Sequence, residues 1–475
     1  MMPPPTLVAF GLDLRLADHP ALTAAAKSGA PVIPVFVLDD AAPDCWRPGG
    51  ASRWWLHGSL AALDASLREL GSRLIVRRGE TISTLAALAG ETGARTVHMT
   101  RRYEPWAMAL EARLHRELPA HGIELRRFGG SLLFEPEAVR TKTGDPYKVF
   151  TPFWRAALSG APPRPAKPAP RTLLSPTAWP NSEPPGGWNL RTASPDWAAG
   201  LREAWEPGEA SAHDALDRLL AGPIAAYPGD RDRPDRVGTS RLSPHLHFGE
   251  ISPATIWHRV HHHGADEAGP VKFLAEIGWR EFSYHLLSQF PDLPDKPFRA
   301  EFANFPWRDD AAALTAWKRG QTGYPLVDAG MRQLRATGWM HNRVRMVAAS
   351  FLVKHLRIGW RRGAAWFWDN LVDADLASNP ASWQWVAGCG ADAAPYFRIF
   401  NPVKQGETFD PDGAYVRRWV PELARLPASL IHAPWQASAL ELAAAGLQLG
   451  RDYPLPIVDH AAARNAALAA LKAMG

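Results

Sequence analysis

The sequence contains only two cysteines, Cys45 and Cys389, and they lie far apart in the chain. Two distant cysteines exclude a disulfide framework and a cysteine-based zinc site, and they are typical of a reducing cytoplasm. No apolar run reaches the ~18 residues that suggest a membrane span. The N-terminal stretch also lacks the basic region and the long apolar region of a signal peptide. We therefore expect a soluble, cytoplasmic protein.

Two common functional motifs are also missing. No G-x-G-x-x-G sequence follows the first strand pattern, so the dinucleotide fingerprint is absent there. No G-x-S-x-G sequence occurs, which argues against a serine hydrolase. The three histidines at 261–263 look like a metal tract, but a solvated helix end is the better interpretation. We predict no metal site.

The composition is that of a globular protein, with 46% hydrophobic and 21% charged residues. The formal net charge of +5 permits a nucleic-acid partner without requiring one, because affinity depends on where Lys and Arg cluster. Tryptophan stands out, with 21 residues against 8 tyrosines. Some of these indoles belong to the core, and the excess also points to stacking or electron transfer.

The chain divides into three parts. Residues 6 to about 135 alternate short apolar runs with helical segments, which predicts an α/β doubly wound domain with a parallel sheet. If that domain binds a ligand, the carboxyl ends of its strands are the place to look. Nine prolines between Gly160 and Gly187 predict a surface connector, and helical spacing follows from about Trp197. We predict an α/β domain at 1–135, a connector at 136–200 and an all-α domain at 201–475.

The stretch "GTSRLSPHLHFGEISP", from Gly238 to Pro253, combines a glycine, consecutive hydroxyls and an arginine. Exposed backbone N–H groups, hydroxyls and a guanidinium suit a phosphate. Ser-Pro and Thr-Ser also commonly begin a helix. Both interpretations stay open on this stretch alone.

Two helical stretches carry unusual polar groups. In "FLAEIGWREFSYHLL", Glu276 and Arg280 are four residues apart beside Trp279, so a surface ion pair next to a core indole is the better interpretation of this segment alone. In "WMHNRVRM", Asn342, Arg345 and Met346 lie within about one turn of each other. A buried Arg345 needs a carboxylate, which Asp373 or Asp375 can supply.

The stretch "DADLASNPASWQW", from Asp373 to Trp385, places two carboxylates beside two indoles. Trp383 and Trp385 are two residues apart, which on a helix is about 200° of rotation. One indole can therefore face a pocket while the other faces the interior. The alternative is two core tryptophans, with Asp373 and Asp375 as helix caps.

Taken together, these stretches resemble the photolyase/cryptochrome family of flavoproteins. The resemblance covers nearly the whole chain and rests on "YPGDRDRP", "GTSRLSPHLHFGEISP", "EIGWREF", "GYPLVDAGMRQL", "GWMHNRVRM", "DADLASNPASWQWVAG" and "DAAPYFRIFNP". It implies an antenna domain, a connector and a helical FAD domain. It also implies light-driven electron transfer from reduced FAD to a pyrimidine dimer in UV-damaged DNA, a lyase reaction in which the electron returns.

The resemblance also assigns roles to individual residues. It implies that Asn379 faces flavin N5, where its amide can donate or accept. Its FAD contacts are Tyr227, Thr239, Ser240, Arg241, Leu242, Ser243, Arg345, Asp373, Ala374, Asp375 and Asn379. Its contacts to the flipped lesion and the DNA are Arg231, Glu276, Trp279, Arg280, Asn342, Arg343, Met346 and Trp385. Trp383, Trp360 and Trp307 match a chain of three tryptophans that carries electrons from flavin to surface.

Members of this family differ in function. Relatives that repair (6-4) lesions place His where this chain has Asn342 and Met346, neither of which can act as a general acid, so we expect cyclobutane dimers as the substrate. The alternative is a cryptochrome-type photoreceptor that signals through a partner. Ala9 and Gly11 depart from the family pattern near the antenna pocket. For the antenna chromophore we expect a methenyltetrahydrofolate as the first choice, a deazaflavin as the second and an empty pocket as the third. We also expect the protein to be a monomer.

Overall fold

The computed structural model describes residues 3–39, 43–188, 190–191, 196–393 and 397–474. Ala394, Pro395 and Tyr396, which belong to the quoted stretch "DAAPYFRIFNP", lie outside the described residues. The described chain forms a parallel β-sheet with helices around it, followed by a large helical region.

The sheet has five parallel strands, and its order is β3-β2-β1-β4-β5. The central strand β1 pairs with β2 through Thr6 and Val32 and with β4 through Thr6 and Thr96. This doubly wound arrangement confirms the predicted fold class. The strands are β1 (Thr6–Phe10), β2 (Val32–Leu38), β3 (Ile75–Arg78), β4 (Thr96–Thr100) and β5 (Glu124–Phe128), and the helices among them are α1 (Pro20–Lys27), α2 (Gly50–Glu69), α3 (Thr81–Thr92) and α4 (Pro105–Glu117).

The rest of the described chain is helical. Its longest helix, α11, runs through the middle of this region, and a short π-helix at Phe351–His355 directly continues α14. The helices are α5 (Phe150–Ser159), α6 (Ala199–Ala204), α7 (Glu209–Leu220), α8 (Pro223–Asp230), α9 (Ser243–His247), α10 (Pro253–Gly264), α11 (Ala268–Gln289), α12 (Ala311–Arg319), α13 (Pro325–Thr337), α14 (Asn342–Ser350), α15 (Trp360–Asn370), α16 (Ser378–Ala387), α17 (Pro402–Phe409), α18 (Ala414–Trp419), α19 (Ala428–Ile431), α20 (Ala439–Ala445) and α21 (His460–Lys472).

The proline-rich stretch lies along the sheet domain. The backbone of Glu183 donates to the carbonyl of Val76 at 2.9 Å, and Val32 donates to the carbonyl of Leu174 at 2.8 Å. Within the predicted connector the structure contains helix α5, so regular structure begins well before residue 201. The predicted domain boundaries stay predictions.

The two parts of the chain meet around Glu250, which is fully buried just after α9. Its carboxylate accepts hydrogen bonds from Trp55 Nε1 at 3.1 Å and from Ser59 Oγ at 2.5 Å, both on α2. His245 Nδ1 lies 2.5 Å from its other oxygen. Because a buried carboxylate is costly without partners, these contacts hold the sheet domain against the segment from Gly238 to Pro253.

A second buried carboxylate, Glu281, ties α11 to the chain that follows β5. It accepts hydrogen bonds from the backbone N–H groups of Leu133 at 2.8 Å and Phe134 at 3.1 Å. Burial raises the pKa of Glu281 to about 7, although the nearby Arg280 guanidinium and these hydrogen bonds oppose the rise. The folded protein therefore binds a proton at Glu281 over a pH range in which the unfolded chain has released it.

The substitution Glu281→Gln tests this description. The ionised carboxylate costs the folded state stability as pH rises from the unfolded pKa of 4.5 through about 7, and a neutral amide that still accepts the two backbone bonds avoids that cost. Between pH 5 and pH 8 we expect the variant to gain on the order of 2 kcal/mol in unfolding free energy relative to wild type, measured by urea denaturation. Glu117→Gln, at an exposed position, should show no such gain. A pH-independent difference for Glu281→Gln would contradict the assignment.

Candidate functional site

A cavity of about 540 Å³ lies in the helical region, within the usual size range of ligand sites. Most of the residues predicted to bind a cofactor or substrate line it, although they come from five separate stretches of the sequence. The predicted residues in its wall are Tyr227, Arg231, Ser240, Leu242, Ser243, Glu276, Trp279, Arg280, Asn342, Arg343, Arg345, Met346, Asp373, Asp375, Asn379, Trp383 and Trp385. Thr239, Arg241, Ala374, Trp307 and Trp360 are not among the lining residues.

The segment from Gly238 to Ser243 forms one end of this cavity. A Cβ atom at Gly238 would clash with the backbone carbonyl of Asp230, so the two stretches of chain can approach closely only because Gly238 is glycine. Ser240, Leu242 and Ser243 face the cavity. Helix α9 begins at Ser243, so the helix-start interpretation holds as well. The phosphate and helix-start interpretations are therefore compatible.

Arg241 differs from the expected phosphate contact. Its backbone has a left-handed φ of 55°, and its guanidinium lies over the ring of Trp205 at 3.9 Å and near that of Trp339 at 5.5 Å. Nη2 donates a hydrogen bond to the carbonyl of Ala204. Burial lowers the pKa of Arg241 to about 10. The side chain thus packs between two indoles beside the cavity, and its contact with FAD stays a prediction.

Asp373 pairs with Arg345, as the need of a half-buried arginine for a carboxylate predicts. Arg345 Nη2 and Ser243 Oγ donate to Asp373 Oδ2 at 2.8 and 2.6 Å. Among the described residues, Asp373 Oδ1 has no hydrogen-bond partner although it is buried. Because buried carboxylate oxygens are normally paired, this oxygen suits an N–H or O–H group of a bound molecule.

Asp375 is saturated by the protein itself. Its Oδ1 accepts from the backbone N–H groups of Ala377 and Ser378 at the start of α16, although the N-cap residue of that helix is Ala377. Its Oδ2 accepts from the hydroxyl of Tyr284 at 2.5 Å and lies 3.4 Å from His247 Nδ1. Burial opposes ionisation, but the neighbouring hydrogen bonds and charges outweigh it and hold the pKa of Asp375 well below its usual range. The cavity therefore contains a fixed negative charge.

Asn379 lies in the first turn of α16 and is nearly buried at 8% exposure. Its Nδ2 donates to the carbonyl of Ala364 on α15 at 3.1 Å. This bond uses one of the two N–H groups of the amide, so the amide oxygen and the second N–H can both meet a ligand. Exchanging the positions of the amide oxygen and nitrogen would break the bond to Ala364.

Helix α16 gives Trp383 and Trp385 different surroundings, as the two-residue offset predicts. Trp383 is 2% exposed and packs edge-on against Phe367 at 5.0 Å and Trp317 at 6.2 Å between ring centres. Trp385 is half-buried, and both indoles line the cavity, so the two differ in burial and in their neighbours. A Cβ at Gly363 would overlap the indole of Trp383, so this indole rests directly on the backbone of α15.

The other two residues of the predicted tryptophan chain lie outside the cavity wall. Trp360 is buried at the first position of α15, and Trp307 is half-buried with its ring next to Gly359. Phe305 contacts Trp307 at 4.4 Å between ring centres. The positions run from the buried Trp383 to the half-buried Trp307, and electron transfer along them stays a prediction.

The rim of the cavity is an ion-pair network. Glu276 bonds to Arg231 at 2.8 Å and to Lys272 at 3.2 Å, and Arg343 bonds to Asp232 at 2.8 Å. The expected Glu276–Arg280 ion pair does not form among the described residues.

Arg280 instead donates to the carbonyl of Ser131 at 2.9 Å, because α11 turns that side chain toward the chain after β5. Sequence reasoning also missed Lys272, although its spacing of four residues from Glu276 is a recognisable signal.

Neither a membrane helix nor a metal cluster adds to this description. No helix in the described ranges is long and apolar enough to cross a membrane. Across the same ranges, no group of three or more His, Cys, Asp or Glu side chains is arranged to hold a metal ion. His261 lies in the last turn of α10, and its ring stacks on Trp257 with ring centres 5.8 Å apart.

A parallel-sheet domain joined to a helical domain, with charged, amide and indole groups around one cavity, defines a protein built to hold an aromatic cofactor. The family models identify the two parts: residues 6–171 match the DNA photolyase model, and residues 273–473 match the FAD-binding domain of DNA photolyase. The chain belongs to the photolyase/cryptochrome family, and its helical part is an FAD-binding domain.

Known relatives match nearly the whole of this chain. A deoxyribodipyrimidine photo-lyase from Agrobacterium fabrum is 52% identical over 476 residues, covering 99% of this chain and 98% of the relative. Cryptochrome-1 from Arabidopsis thaliana is 41% identical over 97% of this chain and 69% of its own length. The crystal structure of a bacterial class III photolyase from Agrobacterium tumefaciens is 51% identical with a TM-score of 0.97, covering 100% of this chain and 98% of that one.

The open oxygen of Asp373 leads to a prediction about cofactor retention. In Asp373→Asn we expect the amide oxygen to face Arg345, so the unpartnered acceptor becomes a donor and a charge-assisted bond to the cofactor is lost. We expect FAD to dissociate about 10- to 100-fold more readily, measured as the flavin-to-protein absorbance ratio after dialysis. Asp369→Asn, at an exposed position where the carboxylate accepts from Gly50, is the matched control. Equal flavin retention in both variants would contradict the role of Asp373.

Proposed function

We propose that this protein repairs cyclobutane pyrimidine dimers in DNA by light-dependent electron transfer, with FAD in the cavity of the helical domain. The observation that carries the proposal is that one cavity contains both polar atoms suited to a flavin and apolar side chains suited to bases. Asp373 and Asn379 present polar atoms suited to a flavin, while Trp279, Trp385 and Met346 form an apolar wall suited to flipped bases. The relatives named deoxyribodipyrimidine photo-lyase support the same reaction.

The chain's own residues would hold and orient the cofactor. Asp373, fixed by Arg345 and Ser243, offers one free oxygen, and Asn379, which lines the same cavity, offers its amide group. The fixed charge of Asp375 sets the electrostatic potential of the cavity. When bound, reduced FAD supplies an electron to the dimer after blue-light excitation and takes it back after the ring splits.

The lesion would enter from the rim. Photolyases are among the enzymes that take a base out of the stack, and a damaged, weakly paired base costs least to extrude. Trp279 and Trp385 offer stacking surfaces, and Asn342 offers an amide to the base edges. Asn342 and Met346 provide no general acid, which favours a cyclobutane dimer over a lesion that must be protonated.

The rim arginines would hold the flanking phosphates. Arg231 and Arg343 are already placed by Glu276 and Asp232, so DNA phosphates can take over part of these ion pairs. Arg280, in contrast, is fixed by the carbonyl of Ser131 and contributes as a positioned charge. Phosphate contacts of this kind make DNA binding weaken as salt concentration rises.

Several finer assignments belong to the same proposal. For the antenna, a methenyltetrahydrofolate is the first choice, a deazaflavin the second and an empty pocket the third. Gly11 lies against the side chain of Arg102 near the carboxyl end of β1, the place where a ligand of the sheet domain is expected. We propose a monomer in the cytoplasm, and the absorption spectrum of the purified protein distinguishes the antenna options.

A repair assay tests the proposed function. Purified protein with reduced FAD should remove dimers from a UV-damaged thymine oligonucleotide under blue light and not in the dark. Trp385→Ala should weaken binding of the damaged strand about 10-fold, because base stacking contributes on the order of 1–3 kcal/mol. Trp419→Ala, a tryptophan on α18 outside the cavity wall, is the control. A wild-type protein that is photoreduced yet removes no dimers would favour the cryptochrome-type photoreceptor instead.

A separate prediction concerns Trp383. If Trp383, Trp360 and Trp307 carry electrons to oxidised flavin, Trp383→Phe should slow photoreduction at least about 10-fold, because phenylalanine is much harder to oxidise. Repair by chemically pre-reduced enzyme should change little, since a flavin that is already reduced needs no electron from Trp383. Absorbance changes under blue light measure the first rate, and dimer loss measures the second. Equal losses in both would refute separate roles.

A further inference from the structure

The indole of Trp279 is held by a second aromatic ring that does not line the cavity. The ring of Phe150 lies face to face with it, with centres 3.9 Å apart and planes within 10°. Phe282 meets the same indole edge-on at 5.9 Å. One face of Trp279 is therefore covered, so the opposite face and the edges are what it can present to a ligand.

The ring of Phe150 in turn lies next to a third aromatic ring, that of Trp154. The two rings are nearly parallel, with centres 6.4 Å apart and planes within 13°. The indole of Trp154 lies against the backbone of α11 at Gly278, where a Cβ atom would come within 2.7 Å of the ring. The stack thus ends on α11, the helix that carries Trp279, and any tilt of the Trp279 indole must displace Phe150.

A contact from the chain after α16 fixes the start of α5. The backbone N–H of Phe150 donates to Asp392 Oδ2 at 3.1 Å, and Asp392 has a left-handed φ of 52°. Asp392 follows α16, which carries Trp385, by only a few residues. The segments that carry Trp279 and Trp385 are therefore linked through Asp392 and Phe150 as well as through the cavity.

We propose that Phe150 is a positioning residue that sets the orientation of Trp279 before a lesion arrives, an inference that rests on the proposed function. Ordering a free side chain on binding reduces affinity, and a side chain ordered in advance avoids that loss. Under the proposed function, intact duplex DNA would meet only the charged rim, because its paired bases stay in the stack and do not reach the indole. Phe150 should therefore affect the affinity for damaged DNA and leave the affinity for undamaged DNA unchanged.

The substitution Phe150→Leu removes the stacked ring and keeps similar apolar volume. With FAD-loaded protein in the dark, we expect the dissociation constant for a dimer-containing oligonucleotide to rise about 2- to 10-fold, the range for ordering one large side chain. The constant for the undamaged oligonucleotide should stay within about twofold. Phe150→Tyr keeps the ring and should stay close to wild type for both, which separates stacking from a general loss of structure.

Phe153→Leu is the matched control on the same helix. Phe153 is buried against Phe282 and His285 and has no contact with Trp279 among the described aromatic pairs. The Phe153→Leu substitution should therefore lower the melting temperature without changing the preference for damaged DNA. Unchanged preference in Phe150→Leu, or equal weakening for both oligonucleotides, would overturn the positioning role. If wild-type protein itself shows no preference for dimers, the proposed function fails first, and that outcome is distinguishable from failure of the Phe150 proposal alone.

Discussion

The architecture depends on one buried carboxylate, Glu250, at the junction between the sheet domain and the helical domain. Trp55 and Ser59 approach it from the sheet domain, and His245 approaches it from α9. The cost of burying Glu250 is offset only when both domains supply their donors, so the docked arrangement is strongly preferred. Because Glu250 follows the segment that forms one end of the cavity, the contacts that dock the two domains also help to fix the shape of the cavity.

Two neighbouring aspartates in the cavity wall differ in how fully the protein satisfies the hydrogen bonding of their carboxylate oxygens. Asp375 accepts hydrogen bonds from the start of α16 and from Tyr284, and it lies close to His247, so its charge is stable without a ligand. Asp373 is held on one oxygen and open on the other. A cofactor site needs both kinds of group. One supplies a permanent negative charge, and the other gains a hydrogen bond only when the cofactor binds. Indoles line the same cavity as this open oxygen, and the combination distinguishes the cavity from an ordinary void.

Much of this arrangement follows from local patterns in the sequence. Apolar runs predicted the parallel sheet, and the need of Arg345 for a carboxylate predicted a partner in Asp373 or Asp375, of which the structure has Asp373. A two-residue offset predicted that Trp383 and Trp385 have different surroundings. Contacts across long sequence separations carry no such pattern, so the bond from Tyr284 to Asp375 and the stack of Phe150 on Trp279 were not foreseen. Arg241 illustrates the limit: its residue type suits a phosphate, but the packing of Trp205 and Trp339 decides where its guanidinium lies.

Helix α16 is only ten residues long, and it carries the indole that would serve photoreduction, the indole that would meet the lesion, and Asn379. It is pinned at its start by Asp375 and rests on Gly363 of α15. Such a short rigid rod cannot shift one of these groups without shifting the others. Changes that tune one process therefore disturb its neighbours, so adaptation of this site should proceed through compensating pairs of substitutions rather than through single steps.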